Sequence, residues 1–161
     1  DSLDPLGELD PWGERIAEDL LFDGLLRRSA AGAPWVEPAL ADRCEVDSPG
    51  AVKVVECHLR GGIEFSDGRP LEADDVVYSL SYGLDPRRTW ARDRIGLSSL
   101  KQVEIVDKPA KTRGDADPGR WIRITFDRRE PLALELIASV MIVPRRAHRE
   151  RSKSFGRTPI G

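Results

Sequence analysis

Residues 57–80 read CHLRGGIEFSDGRPLEADDVVYSL, and the local chemistry changes three times along them. Cys57, His58 and Leu59 close a β-rich run that begins at Ala51. Gly61-Gly62 breaks that strand, Ile63-Glu64-Phe65 is a short extended piece, and Ser66-Asp67-Gly68 has the composition of a tight turn. Pro70 and Leu71 then lead into a helix. Asp74 and Asp75 fall in its first turn, where carboxylates suit the positive end of the helix dipole. Val77, Leu80 and Leu84 recur at three- and four-residue spacing, and the helix stops near Asp85-Pro86. A strand end, a turn and a helix start in direct succession predict a mixed fold.

Working upstream, Arg43-Cys44-Glu45-Val46 is a short strand candidate that begins within 39–42, and Asp47-Ser48-Pro49-Gly50 carries turn chemistry. Folding the chain about Gly50 and Ala51 sets Cys44 opposite Cys57. Directly opposed residues have Cα atoms about 4.5–5.5 Å apart, within reach of a disulfide. The alternative is two buried free thiols. The spacing fits no zinc site and no CxxC redox motif.

Nearer the N-terminus, Asp10-Pro11 opens a helix, with Asp as cap and Pro at the first helical position. Ile16, Leu20 and Gly24, with Ala17 and Leu21 beside them, define the face expected to be buried. Residues 29–38 read as a connector rich in Ala, Gly and Pro. Downstream, 101–106 and 121–126 alternate as strands through Val103 and Ile105, then Ile122 and Ile124, with a long polar connection at 107–120. Pro131 opens a third helix over 132–139, and 140–143 is a candidate closing strand. The fold class is α+β, with antiparallel hairpins and helices packed on one side.

Composition agrees with a globular chain: 161 residues, 40% hydrophobic and 33% charged. No apolar run reaches the roughly 18–20 residues that span a bilayer. Asp1 does not begin a signal peptide, so an exported protein would have lost its signal before this numbering starts. The net charge of −3 argues against nucleic-acid binding. The tail over 145–157 is strongly basic and reads as a solvated face, or as a segment resting on something outside the chain. No nucleotide turn, G-x-S-x-G, H-E-x-x-H or paired-carboxylate arrangement is present. Ser66, Ser79, His58 and His148 form no catalytic constellation in the sequence. No enzyme activity, cofactor or metal is expected.

The run 57–80 resembles the signature region of the family 5 extracellular solute-binding proteins, where a strand ends in a phrase of the form F-H-L-R-x-G-v-x-F-S-D-G-x-P-l-T-A-x-D-V-v-y-S. The flanks keep the family's order. Leu3-Asp4-Pro5 is similar to its L-D-P, Phe22-Asp23-Gly24-Leu25-Leu26 to its y-e-G-L, and Pro38-Ala39-Leu40-Ala41-Asp42 to its P-x-L-A-E. Leu84-Asp85-Pro86 follows the second helix as in the family. Ile122-Arg123-Ile124-Thr125-Phe126 with Glu130-Pro131 is similar to the unit that precedes P-x-G-T-G-P-Y, and Thr158-Pro159-Ile160-Gly161 to the start of that last motif. Two departures stand out. Glu72 occupies the place of the helix-capping Thr, and Cys44 and Cys57 stand where apolar or aromatic residues are common.

The resemblance implies part of lobe one of a two-lobe fold. Residues 1–32 are its N-terminal segment, 33–147 a small α+β subdomain, and 148–161 a basic tail leading back to lobe one. It implies the receptor of an ATP-driven importer, which closes around a peptide, nickel chelate or similar small solute. The partner would be a membrane permease. The protein would be a monomer in the periplasmic or extracellular space, and a lipid anchor is compatible with that. The alternative is the solute-sensing region of a transcriptional regulator. By resemblance, the ligand-binding residues are Leu9, Asp10, Pro11 and Trp12, with Trp12 stacking on solute or else serving as a hydrophobic staple. Trp90 is a further candidate, with core packing as its alternative.

Overall fold

The computed structural model describes residues 2–7, 9–88, 97–108, 120–151 and 154–161. The turn chemistry at 47–50 folds β3 (Ala41–Val46) onto β4 (Val52–Leu59). Gly50 takes φ +75°, and Asp47 Oδ1 accepts the backbone N–H of Lys53 at 2.9 Å and of Val54 at 3.1 Å. That register pairs Cys44 with Cys57, Glu45 with Glu56 and Val46 with Val55. The two cysteines form a disulfide across a Cα separation of 4.1 Å.

The hairpin is half of a four-stranded antiparallel sheet in the order β3-β4-β6-β5. Helix α2 (Ala73–Ser81) carries the chain from β4 to the far edge strand β5 (Leu100–Val106), and β6 (Trp121–Glu130) returns between them. Alternation sends Val55, Cys57, Ile122, Ile124 and Phe126 to one face, all fully buried. Val76 and Leu80 of α2, with Ala133 and Ile137 of α3 (Ala133–Ala138), complete this core. Ile105 shares that face by register with Ile122, but at the sheet edge it stays 41% exposed.

The opposite face is polar. Glu45, Glu56, Arg123 and Glu104 form one cross-strand row. Lys108 Nζ lies 2.9 Å from Glu45 and 2.6 Å from Glu56, and Arg123 Nη2 lies 2.8 Å from Glu56. Lys108 and Arg43 also cover the Trp121 ring, at 3.9 and 5.0 Å from its centroid, so a tryptophan on the polar face is only 4% exposed. Burial pushes the Glu56 carboxyl up, but its hydrogen bonds to Lys108 and Arg123 outweigh that and hold it below the ordinary value.

Two segments differ from the sequence reading. The connector at 29–38 ends in β2 (Val36–Pro38), which pairs with β1 (Leu26–Arg28) in a separate two-stranded sheet reinforced by Arg27–Glu37 at 2.6 Å. Residues 140–143 form no strand. Met141 makes only an isolated bridge with Gly24, and Ile142 N–H donates to Asp23 O at 2.9 Å. Gly24 is needed there: a Cβ would stand 2.8 Å from Val140 O and 2.9 Å from Leu26 O.

The basic tail is not a solvated face. Helix α4 (Arg145–Glu150) turns Arg146 and Arg149 outward while Ala147 and His148 are buried. With Phe155 and Ile160 they join Leu6, Ala17, Phe22, Phe65 and Val143 around a second apolar cluster, so the tail packs on the chain's own N-terminal segment. Leu3 N–H donates to Gly156 O at 2.8 Å, and Ser66 N–H donates to Gly161 O at 2.7 Å. No helix among the described residues is long and apolar enough to cross a membrane.

The disulfide closes a sequence separation of 13. For a loop of that size the Cys44→Ser, Cys57→Ser double variant should lose about 3 kcal/mol of unfolding free energy in urea titrations. An unchanged midpoint would show that the turn alone holds the hairpin. Because the Glu56 carboxyl is held below its ordinary 4.5, its contribution is present above that pH and fades as pH falls through the folded value. Glu56→Gln should cost about 1 kcal/mol near neutrality, and the gap from the parent should close in acid.

Candidate functional site

The segment that the resemblance assigns to solute contact is built around one helix start. Asp10 caps α1 (Pro11–Ile16), its Oδ1 accepting the backbone N–H of Trp12 and of Gly13, each at 3.0 Å. Those bonds, Gly13 first and Trp12 second, hold its carboxyl below the ordinary aspartate value. Pro11 takes the first helical position, where its missing N–H leaves no bond unmade. Leu9 is half-buried against the second apolar cluster. Trp12 stands 79% exposed, without the packing that a staple requires. The four residues are thus contiguous but divided in role: Leu9 anchors, Asp10 and Pro11 set the helix, and Trp12 faces solvent. Trp90 lies outside the described residues.

The buried face of this helix is not the expected one. After Ile16 the chain widens into a π-helical turn at Ala17–Leu21, closed by Phe22 N–H donating to Ala17 O at 2.9 Å. Gly13 and Ala17 face inward. A Cβ on Gly13 would stand in van der Waals contact with Ser2 O at 3.4 Å and Leu9 Cδ2 at 3.6 Å, so this face lies directly against the N-terminal segment. Ile16 and Leu20, expected inside, are 39% and 77% exposed. Trp12, Ile16 and Leu20 are spaced by four, and their exposure leaves an apolar row on the outer side.

That row ends at Leu20, on the rim of a depression. A cavity of about 280 Å³ opens beside the π turn, with Leu20, Leu40 and Phe65 among its apolar lining and Asp19, Asp23 and Glu64 among its carboxylates. Asp19 is also within 3.5 Å of Arg15. Among the described residues no group of three or more potential metal-binding side chains comes together. The serines and histidines weighed as catalytic candidates lie in separate places. Ser79 Oγ donates to Asp75 O at 2.8 Å inside α2, while His58 Nδ1 lies 2.9 Å from Asp42 at the edge of the sheet.

Sequence reasoning missed a buried chain of polar groups: Asp4, His148 and Tyr78, drawn from three distant segments. The one signal was His148 at helical spacing in α4, and the surrounding arginines masked it.

Residues 36–161 match the model of the bacterial extracellular solute-binding proteins, family 5 Middle. The "Probable deoxycholate-binding periplasmic protein YgiS" of Escherichia coli (strain K12) is 34% identical over 137 residues, 80% of this chain and 24% of that protein. The "Oligopeptide-binding protein OppA" of Bacillus subtilis (strain 168) is 35% identical over 65 residues, 40% of this chain and 11% of that protein. Among solved structures, AgaA from A. tumefaciens R10 in complex with agropinic acid superposes with a TM-score of 0.78 at 26% identity, covering 100% of this chain and 30% of that one. The chain therefore spans about a quarter of YgiS and less than a third of AgaA.

The cap at the head of α1 can be tested directly. Asp10→Ala should speed amide exchange at Trp12 and Gly13, and unchanged exchange would remove Asp10 as the cap. Because the carboxyl is held below its ordinary 3.8, the charged cap is fully formed above that pH and is lost as pH falls through the lower folded value. Asp10→Asn should keep the cap and abolish that acid dependence.

Proposed function

This chain belongs to the bacterial extracellular solute-binding proteins of family 5, and from that premise we propose that it is part of the substrate-binding component of an ATP-driven importer for peptides or similar small solutes. The observation that carries this reading is the inverted helix α1, with Gly13 and Ala17 buried while Trp12 is 79% exposed. A globular chain gains from burying its largest aromatics, so a tryptophan held outward by a capped helix suits a ligand that will cover it.

The relatives support a small organic solute. They are named for deoxycholate, di- and tripeptides and oligopeptides, and two structural relatives at 26% identity are described with mannopinic and agropinic acid. An apolar row beside carboxylates offers both apolar and polar contacts to a small organic solute. Capture would follow from closure of a second lobe over this surface, followed by delivery to a membrane permease. The disulfide suits the periplasmic or extracellular space implied by the family, where oxidised cysteines persist. We take the receptor to be a monomer, with a lipid anchor compatible with the same reading.

The test uses the full-length receptor. Calorimetry against di- and tripeptide pools should detect binding, and Trp12→Ala should weaken it roughly tenfold through lost stacking and apolar burial. Thermal stability should barely move, because Trp12 is already exposed. Unchanged affinity would remove Trp12 from the solute site.

A further inference from the structure

His148 is 1% exposed and touches two elements far away in sequence. Its Nδ1 is 2.7 Å from Tyr78 Oη on α2, and its Nε2 is 3.1 Å from both carboxylate oxygens of Asp4. Tyr82 and Phe155 present ring edges at centroid distances of 5.4 and 5.0 Å, closing the imidazole in. Asp4 is buried in turn, and it organises the chain that follows. Its Oδ1 accepts Leu6 N–H at 3.0 Å and its backbone carbonyl accepts Gly7 N–H at 2.9 Å. Gly156 lies so close to this segment that a Cβ there would stand 2.8 Å from Asp4 N and 2.9 Å from Leu3 N.

The proton positions follow from chemistry. A carboxylate accepts, so the tautomer that serves both contacts carries its proton on Nε2, donating to Asp4, and leaves Nδ1 to accept. Burial pushes the Tyr78 phenol up to about 12, so it keeps its proton and can supply that donor to Nδ1. Arg88, stacked 4.1 Å over Tyr82, and Arg149 are the nearby cations, and Asp85 is a second carboxylate near the tyrosines. The result is a directional chain, Tyr78 to His148 to Asp4, in which every link has one donor and one acceptor. Such a buried, fully satisfied chain fixes rotation as well as distance, which apolar packing alone does not.

We propose that His148 is a positioning residue for the solute-contact segment: it ties the turn at 4–7, and through it the start of α1 with Trp12, to helix α2 of the sheet subdomain. The clause about solute rests on the reading of Trp12 given above, whereas the tie itself does not. The links belong to the N-terminal segment, α2 and α4, so the turn that leads into the first helix is held by groups outside that helix.

The test reads tautomer and local exchange in the 161-residue chain. Nitrogen-15 NMR should find His148 as the Nε2–H tautomer. Tyr78→Phe, which removes only the hydroxyl bonded to His148, should populate the other tautomer and raise amide exchange at Leu6 and Gly7 roughly tenfold, the effect of about one net hydrogen bond. His148→Phe should raise exchange at the same two amides, while amides of Val55 and Ile124 in the sheet keep their rates. A native Nδ1–H tautomer would overturn the proposal. So would unchanged exchange at Leu6 and Gly7, or a uniform rise that includes the sheet, which would mark plain stabilisation. In the full-length receptor with tripeptide pools, His148→Phe and Trp12→Ala should both weaken binding. If Leu6 and Gly7 loosen but Trp12→Ala binds normally, the tie stands and the solute-contact reading fails.

Discussion

Helix α2 has to bury two opposite faces at once, and both apolar clusters of the molecule depend on its doing so. Val76 and Leu80 enter the sheet core, while Tyr78 packs with the cluster formed by the N-terminal segment and the tail. A helix flanked in this way cannot slide along one cluster without breaking its fit to the other. Its start is therefore held tightly. Asp75 Oδ2 accepts Glu72 N–H at 3.0 Å, and Oδ1 accepts Arg145 N–H at 2.7 Å, so one carboxylate closes the start of α2 and of α4 together. Burial raises the pKa of this carboxyl in spite of those two bonds. The group is kept where its charge is costly because two helices need an acceptor at that point. At Glu72, Asp75 thus supplies the reciprocal half of a capping box.

The polar face of the sheet works on a similar principle with charges. Trp121 is covered by Lys108, which also pairs with Glu45 and Glu56, so the ion pairs and the aromatic burial are coupled through one side chain. Lys108 takes part in both. Its pKa is lowered by burial and raised more by the two glutamates, and the net direction is upward.

What the sequence made legible was set by short-range chemistry. Asp47 to Gly50 fixed the hairpin register, and the register fixed the cysteine pair. Ile122 and Ile124 marked β6 by strict alternation, and Asp10-Pro11 marked the start of α1. What stayed hidden depended on distant partners. β1 and β2 are three residues each and one ends in Pro38, so neither carries a periodic signal. His148 sits among arginines that correctly read as exposed, and only Asp4 and Tyr78 explain its burial. Of the proposed contact segment, the helix start at Pro11 and the cap at Asp10 were legible. The outward direction of Trp12, Ile16 and Leu20 was not, because the buried face of α1 is chosen by how closely it lies against Ser2 and Leu9.

The wide turn at Ala17–Leu21 also fixes how many residues this part of the chain can hold. An α-helix advances about 100° and 1.5 Å per residue. The wide turn already carries one residue more than α geometry needs, so a deletion inside it can tighten to α and keep the phase. Deleting a residue from the α-helical turn before it would instead swing everything after it by that angle. Phe22, now 6.3 Å from Phe155 between ring centres, would be carried off its neighbour, and Gly24 would leave the narrow gap beside Val140. Inserting one would rotate the same groups the other way. Among descendants of this chain, the helix between the exposed tryptophan and the wide turn should therefore tolerate changes of side chain far more readily than changes of length, and the wide turn is where a lost residue is best absorbed.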